Sequence, residues 1–429
     1  MSESKLRYVD LFAGIGGFRI GFEQALHSLS IKGECVFSSE INPHAVSVYE
    51  NNFGDEPQGD IRQVDALPEH DVLLAGFPCQ SFSYAGKRAG FGDTRGTLFF
   101  EIERLIRGQK NKPKFLILEN VRGFTTHDGG RTYATVLDCL ERLGYSAKGV
   151  LLNSSDFGVP QNRVRVYIVA TLENDINFDI KSNVGFSDSH KAKQRNLQKS
   201  FFDNIEQIQT TVKDILEPSV STRYNCSETF TNQLRSALDG KPIETLHGMR
   251  LIDYRGGNSL HSWDLGTKGA CTKDEREFMT CLIQNRRKKH FGAHQDGKKL
   301  SLEQIQMFWT KPNLVEITDS LIEKGYLSRK GGLYNPVAGN MSFEVFKFLD
   351  PNSISITLVS SDANRLGVVQ NGVPRRITPR ECARLQGFPD TYKIHADDKW
   401  AYHQFGNTVT VPVIKAISEE MLTKNLLVS

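Results

Sequence analysis

The stretch Gly76-Phe77-Pro78-Cys79-Gln80-Ser81-Phe82-Ser83 directly follows the apolar run Val72-Leu73-Leu74-Ala75. A short apolar run bounded by glycine reads as a buried strand running into a loop. Pro78 has a fixed φ and no N–H, so the chain leaves the sheet there and presents Cys79 at a strand end. In open α/β sheets, ligands and chemistry gather at the carboxyl ends of strands. A thiol in this position can be a nucleophile, a metal ligand or a packed core residue. The polar Gln-Ser-Phe-Ser that follows makes a poor core sequence and favours chemistry.

Upstream, Leu6–Phe12 reads as a strand, Ala13-Gly14-Ile15-Gly16-Gly17-Phe18 as a tight glycine loop, and Arg19 to about Leu29 as an amphipathic helix. Cys35–Ser39 is a second strand ending at Glu40, an acid suited to ribose hydroxyls. Gly59-Asp60-Ile61 adds another acid beside an apolar residue that suits an adenine ring. One glycine turn is weak evidence, but three such strand ends in succession point to a nucleoside-bearing cofactor. The loop is Gly-x-Gly-Gly rather than Gly-x-Gly-x-x-Gly, and nothing downstream looks like a hydride-acceptor site. A nucleophilic cysteine beside a methyl donor makes coherent chemistry and favours that cofactor class.

The 429 residues suit two domains or one large domain carrying an insertion. No apolar run approaches a membrane span, and the N-terminus lacks a signal peptide's apolar core. Seven cysteines without close pairs argue against a disulfide framework and fit a reducing, intracellular setting. Cys271 and Cys281, with His290 and His294 nearby, lack zinc-finger spacing, and no metal is expected. A net charge of +3 is too small to announce nucleic acid, so any electrostatic footprint must be local.

Asp10–Phe18, Gly76–Ser83, Glu119-Asn120-Val121, Gln161–Arg165 and Gln404–Pro412, in that order and spacing, together resemble the DNA cytosine-5 methyltransferases of bacterial restriction-modification type. The match covers roughly residues 6–170 and 374–423. It implies an α/β fold: a Rossmann-like S-adenosylmethionine-dependent core over 1–180, an inserted target-recognition domain over 181–373, and a return to the core over 374–429. It also implies the catalytic set Cys79, Glu119, Arg163 and Arg165. Period-two alternation puts both arginines on one face. The implied cofactor is S-adenosyl-L-methionine. Its wall would be Asp10, Phe12, Ala13, Gly14, Ile15, Gly16 and Gly17, then Glu40, Ile41, Asp60 and Ile61, then Gly76, Pro78 and Leu98, closed by Asn407, Thr408 and Val409.

The implied partner is double-stranded DNA in a bacterial cytoplasm, with a cognate restriction endonuclease acting separately. Tyr84–Thr97 is rich in glycine and basic residues, and would close over DNA through Gln80, Ser83, Lys87, Arg88 and Arg95. In the middle of the chain, Arg255 lies in a basic turn, and Arg286, Arg287 and Lys288 belong to the densest basic run. About 298–340, the pattern helix, helix, hairpin with Arg329 and Lys330 at its tip resembles a winged helix-turn-helix, which puts a helix in the major groove. A tRNA cytosine-5 methyltransferase on the same fold is the alternative enzyme; the long insertion and the missing Cys-Phe-Thr triplet stand against it. A DNA-binding protein that has lost catalysis is the non-enzymatic alternative, and the intact Cys79, Glu119 and Arg165 disfavour it.

Overall fold

The computed structural model describes residues 5–78, 98–172, 210–292, 297–339 and 343–426, with isolated positions between 176 and 184. In chain order, β1 (Leu6–Leu11), α1 (Gly17–Ser28), β2 (Gly33–Ser39), α2 (Pro43–Phe53), β3 (Val72–Gly76), α3 (Leu98–Arg107), β4 (Phe115–Val121), α4 (Arg131–Arg142), β5 (Tyr145–Asn153), β6 (Val164–Leu172) and α5 (Val212–Ile215) form the first part. The middle contains α6 (Glu228–Ala237), β7 (Arg250–Leu251), β8 (Ser259–Leu260), α7 (Ser262–Leu265), α8 (Lys273–Asn285), α9 (Leu302–Gln306), α10 (Leu314–Glu323), β9 (Leu327–Lys330), β10 (Leu333–Pro336), β11 (Lys347–Phe348), β12 (Leu366–Gln370) and β13 (Val373–Arg376). The chain closes with α11 (Pro379–Leu385), α12 (Asp398–Asn407) and α13 (Val411–Leu426).

Two compact units result. The first comprises Met1–Ile215, Ile354–Ala363 and Pro379–Ser429; the second comprises Leu216–Ser353 and Asn364–Thr378. These limits differ from 180 and 373: the first unit runs further, and takes back 354–363 from the middle of the chain.

In the first unit a six-stranded sheet has the order β2-β1-β3-β4-β6-β5. Its β1, β2, β3 and β4 are parallel, while β6 runs antiparallel to both β4 and β5. Strand alternation sorts the core into two layers. Val9, Leu11, Leu73, Leu116 and Ile168 face one side with Ile102, Leu105 and Ile106 of α3 and Val136 and Leu140 of α4. Tyr8, Val72, Leu74, Ile117 and Tyr167 face the other with Phe18, Phe22 and Leu26 of α1 and Ile414, Ile417 and Met421 of α13.

The register decides which residues meet. Leu11 stands opposite Ala75 and Gly76 opposite Glu119, so the parallel strands finish at one edge. Because β6 is antiparallel, it begins at that same edge, with Arg165 opposite Val121. Helix α2 is started by Asn42, whose side chain accepts from His44 N, and by Pro43 in its first turn. It stops at Gly54, which takes a left-handed conformation.

The second unit holds a five-stranded sheet, β13-β12-β11-β7-β8, and the separate β9–β10 hairpin. Helices α8, α9 and α10 and the hairpin share one core around Trp263, Phe278, Leu282, Leu321 and Tyr334.

Candidate active site

A cavity of about 880 Å³ opens at the carboxyl edge of the first unit's sheet. Its wall brings together Phe12, Ala13, Gly14, Ile15 and Gly17; Glu40 and Ile41; Asp60 and Ile61; Gly76, Pro78 and Leu98; Glu119, Arg163 and Arg165; and Asn407, Thr408 and Val409. All of these were singled out from the sequence. Cys79, Gln80, Ser83, Lys87, Arg88 and Arg95 lie outside the described residues.

Asp10 and Gly16 do not line the cavity. Asp10 is completely buried. Strand alternation turns it, like Tyr8, toward the α1 layer, where the Arg19 guanidinium is its nearest opposing charge. Burial pushes its carboxyl up to about 8, with Arg19 pulling the other way. Gly16 instead starts α1 in a left-handed conformation.

Glu40 serves as a hub. One of its oxygens accepts Gly14 N at 2.9 Å, and the other accepts Ile41 N at 2.9 Å and Asn42 N at 2.8 Å. These bonds lock the glycine loop to the end of β2 and leave lone pairs for a ligand hydroxyl. Ile41 is 69% exposed and stands as an apolar flap at the cavity rim. Asp60 starts a short 3₁₀ turn and is paired with Arg62, which holds its carboxyl below the usual range.

The return of the chain supplies the opposite wall. A Cβ on Gly17 would stand 2.5 Å from Thr408 Oγ1, so only glycine lets α1 begin against this segment. The Tyr392 hydroxyl donates to Ile15 O and ties the glycine loop to the region after α11. Buried Gln386 joins the ends: it accepts from the Thr410 hydroxyl at 2.9 Å and donates to Phe405 O at 2.7 Å.

At the far end of the cavity Arg165 Nε lies 3.1 Å from a Glu119 oxygen, and both side chains are largely buried. Burial raises the Glu119 pKa, opposed by the positive charges of Arg165 and then Arg163. Asn120 is buried and donates to Phe77 O at 2.9 Å, fixing the strand end two residues before Cys79. Sequence reasoning gave Asn120 no separate task, although a polar residue in an apolar strand was the available signal.

Arg163 differs from its expectation. It directly precedes β6 and lines the same cavity as Arg165, but its guanidinium is occupied by backbone carbonyls. It is 2% exposed, and donates to Leu358 O at 2.8 Å, Gly406 O at 3.4 Å and Thr408 O at 2.8 Å. It clamps the returning chain, with its charge against the last turn of α12. Burial, and then the like charge of Arg165, push its guanidinium down to about 10. Ser360 also reaches the cavity. Residues 354–363 carried no motif; the one pointer was Gly406, where any Cβ would collide with the Ser360 backbone.

In the second unit Arg255, Arg287, Lys288, Arg329 and Lys330 are exposed. Arg286 is buried and donates to Lys298 O at 3.1 Å and to Asn335 Oδ1 at 2.7 Å, so it braces the fold rather than presenting charge. No described helix is long and apolar enough to cross a membrane.

The family pattern described as C-5 cytosine-specific DNA methylase matches residues 6–423. Type II methyltransferase M.BanI of Aneurinibacillus aneurinilyticus is 60% identical over 422 residues, 98% of this chain and 97% of that protein. Type II methyltransferase M.HgiCI of Herpetosiphon aurantiacus is 59% identical over 412 residues, 96% of each chain. Among solved structures, the S. pombe Dnmt2 methyltransferase shares the fold over 98% of this chain and 100% of that one, with a TM-score of 0.52 and 20% identity. With its glycine loop, strand-end acids and return segment assembled around one cavity, this chain belongs to the C-5 cytosine-specific DNA methylases, enzymes that move a methyl group from a donor to carbon 5 of cytosine in DNA.

Proposed function

We propose that the cavity holds S-adenosylmethionine and that Cys79 bonds covalently to C6 of a cytosine turned out of a specific DNA duplex. The observation that carries this reading is the buried Glu119–Arg165 pair at the cavity wall formed by Gly76 and Pro78. The donor set fits the cofactor. Glu40 has acceptor capacity left for ribose hydroxyls, Ile41, Ile61 and Leu98 offer apolar faces to an adenine ring, and 880 Å³ suits a ligand of this size.

Cytosine C5 is too weak a nucleophile to take a methyl group unaided. The Cys79 thiolate adds to C6, and the C5–C6 electron pair moves toward C5, C4 and N3. Glu119, whose carboxyl is pushed up by burial, donates to N3 as negative charge develops there. Arg165 holds the O2 side of the ring and keeps Glu119 oriented. When bound, S-adenosylmethionine supplies an electrophilic methyl group. Loss of the C5 proton then restores the C5–C6 double bond, and the sulfur of Cys79 leaves as thiolate. A stacked base cannot reach such a site, so the cytosine must be flipped, with Gln80 and Ser83 bracing the gap and Lys87, Arg88 and Arg95 on the backbone.

The second unit is the target reader, with Arg255 and the basic residues near the hairpin facing DNA. The relatives named Type II methyltransferases support a place in a restriction-modification pair, the endonuclease acting separately. A duplex carrying 5-fluorocytosine at its target should trap the enzyme in a complex that survives denaturation, and Cys79→Ser should abolish both trapping and methylation seen by bisulfite sequencing. Methylation by Cys79→Ser at the wild-type rate would sink the mechanism.

A further inference from the structure

Resting on the reading that the second unit meets DNA, we propose that its helical subdomain docks through the hairpin edge onto the phosphate backbone, with α10 turned away from the duplex. This reverses the arrangement expected of a winged helix, in which the second helix enters the major groove.

Two independent features of the subdomain carry the inference. The first is convergent positive charge. Leu300 pairs with Tyr334 through two backbone bonds, of 3.1 and 2.7 Å, and so adds a third extended segment beside β10 and β9. In the same segment Lys298 N donates to Arg286 O at 3.1 Å, and Lys298 Nζ donates to Lys288 O at 3.0 Å. Buried Arg286 pins this stretch to Asn335 of β10 at 2.7 Å. The turn at 286–288 and the segment 298–300 are thereby held beside the hairpin.

Lys288, Lys289, Lys299, Arg329 and Lys330, on or next to these segments, are exposed. Among the described residues, none of these five has a carboxylate partner. A duplex carries one negative charge per about 1.7 Å of axis, so such an edge meets several phosphates at once.

The second feature is the surface of α10. Its buried residues are Leu314, Ile317, Thr318 and Leu321. Its solvent face carries Glu316, Asp319 and Glu323, spaced i, i+3, i+7 in one stripe. None of the three has a cationic partner among the described residues. Three uncompensated carboxylates along a helix would repel both phosphate strands of a groove. The acid stripe and the basic edge cannot both face the same polyanion, and only the edge attracts it.

The test uses the full-length enzyme and a fluorescent duplex bound over a range of salt. Arg329→Gln/Lys330→Gln and Lys288→Gln/Lys289→Gln should each weaken duplex binding by roughly tenfold or more. Each should also flatten the slope of log affinity against log salt by about 1.8, at about 0.9 per lost phosphate contact. Glu316→Gln/Asp319→Asn/Glu323→Gln should leave the slope and the methylated sequence unchanged. Circular dichroism melting of each variant reports whether it is folded, and charge-preserving Arg329→Lys should retain binding. An unchanged slope in both basic variants would overturn the proposal, as would a new methylation pattern in the acid-stripe variant. Loss of RNA binding with duplex affinity intact would assign the edge to another polymer and overturn it too. Wild-type enzyme that methylates no DNA would sink the catalytic reading instead, so the two failures are distinguishable.

Discussion

The cavity of the first unit and the hairpin edge of the second both use charge, under opposite physical conditions. At and behind the cavity, Arg163, Glu119 and Asp10 are taken out of water; Arg163 and Glu119 each depend on a few partners, whereas neither Asp10 oxygen has a hydrogen-bond partner among the described residues. Along the edge, Lys288, Arg329 and Lys330 remain in solvent and act as a sum. Removing a buried charge from water costs far more than an exposed one gains, so it must be individually held in place. An exposed charge is cheap, screened and replaceable. Substitutions in the first region should therefore act singly and steeply. Those in the second should act in small, salt-dependent steps.

The largest expected break of this contrast is at Glu119. Glu119→Gln keeps the shape but cannot cycle a proton, and should lower kcat about 10²- to 10⁴-fold, with donor binding preserved in equilibrium titration. Next is Arg163→Met, which strips the carbonyls of Leu358, Gly406 and Thr408 of their donor. About 3 kcal/mol of stability should go with it, seen as a lower melting temperature, and donor affinity should fall because Thr408 lines the cavity.

Asp10 offers a test by pH. Its carboxyl titrates at about 8 in the folded chain against about 3.9 unfolded, so between those values the folded state holds one more proton. Stability therefore falls as pH rises through that window, by up to about 1.4 kcal/mol per unit. Asp10→Asn should remove this slope, and melting temperatures at pH 5, 6, 7 and 8 would report it. The smallest effect belongs to the second unit. Lys311 pairs with Asp274 at 2.9 Å and Glu277 at 2.8 Å in solvent, and Lys311→Ala should leave the melting temperature unchanged.

The contrast also explains what could be read from the sequence. Parallel strands announce themselves as apolar runs, and the residue after each run falls at the ligand edge. That logic found Glu40, Gly76 and Glu119 without coordinates, whereas Asp60, expected at a third strand end, follows no strand and instead starts a 3₁₀ turn. It failed where position depends on distant chain. The task of Arg163 is set by carbonyls some 200 residues further along, and Ser360 arrives from a segment without any local signature. Arg286 sits in a basic run but at the end of a helix whose buried face it continues, and linear charge density cannot show that. Helix and hairpin over 302–336 were legible from periodicity, whereas the orientation of α10 emerged only when its acidic residues fell on one stripe.

The contact between Gly17 and Thr408 joins points 391 residues apart. Closing so long a loop is entropically unfavourable until the intervening chain has already condensed. The cavity should therefore be the last feature to acquire its shape during refolding. A fluorescent donor analogue would then report completion of the whole polypeptide rather than formation of the sheet on which it sits.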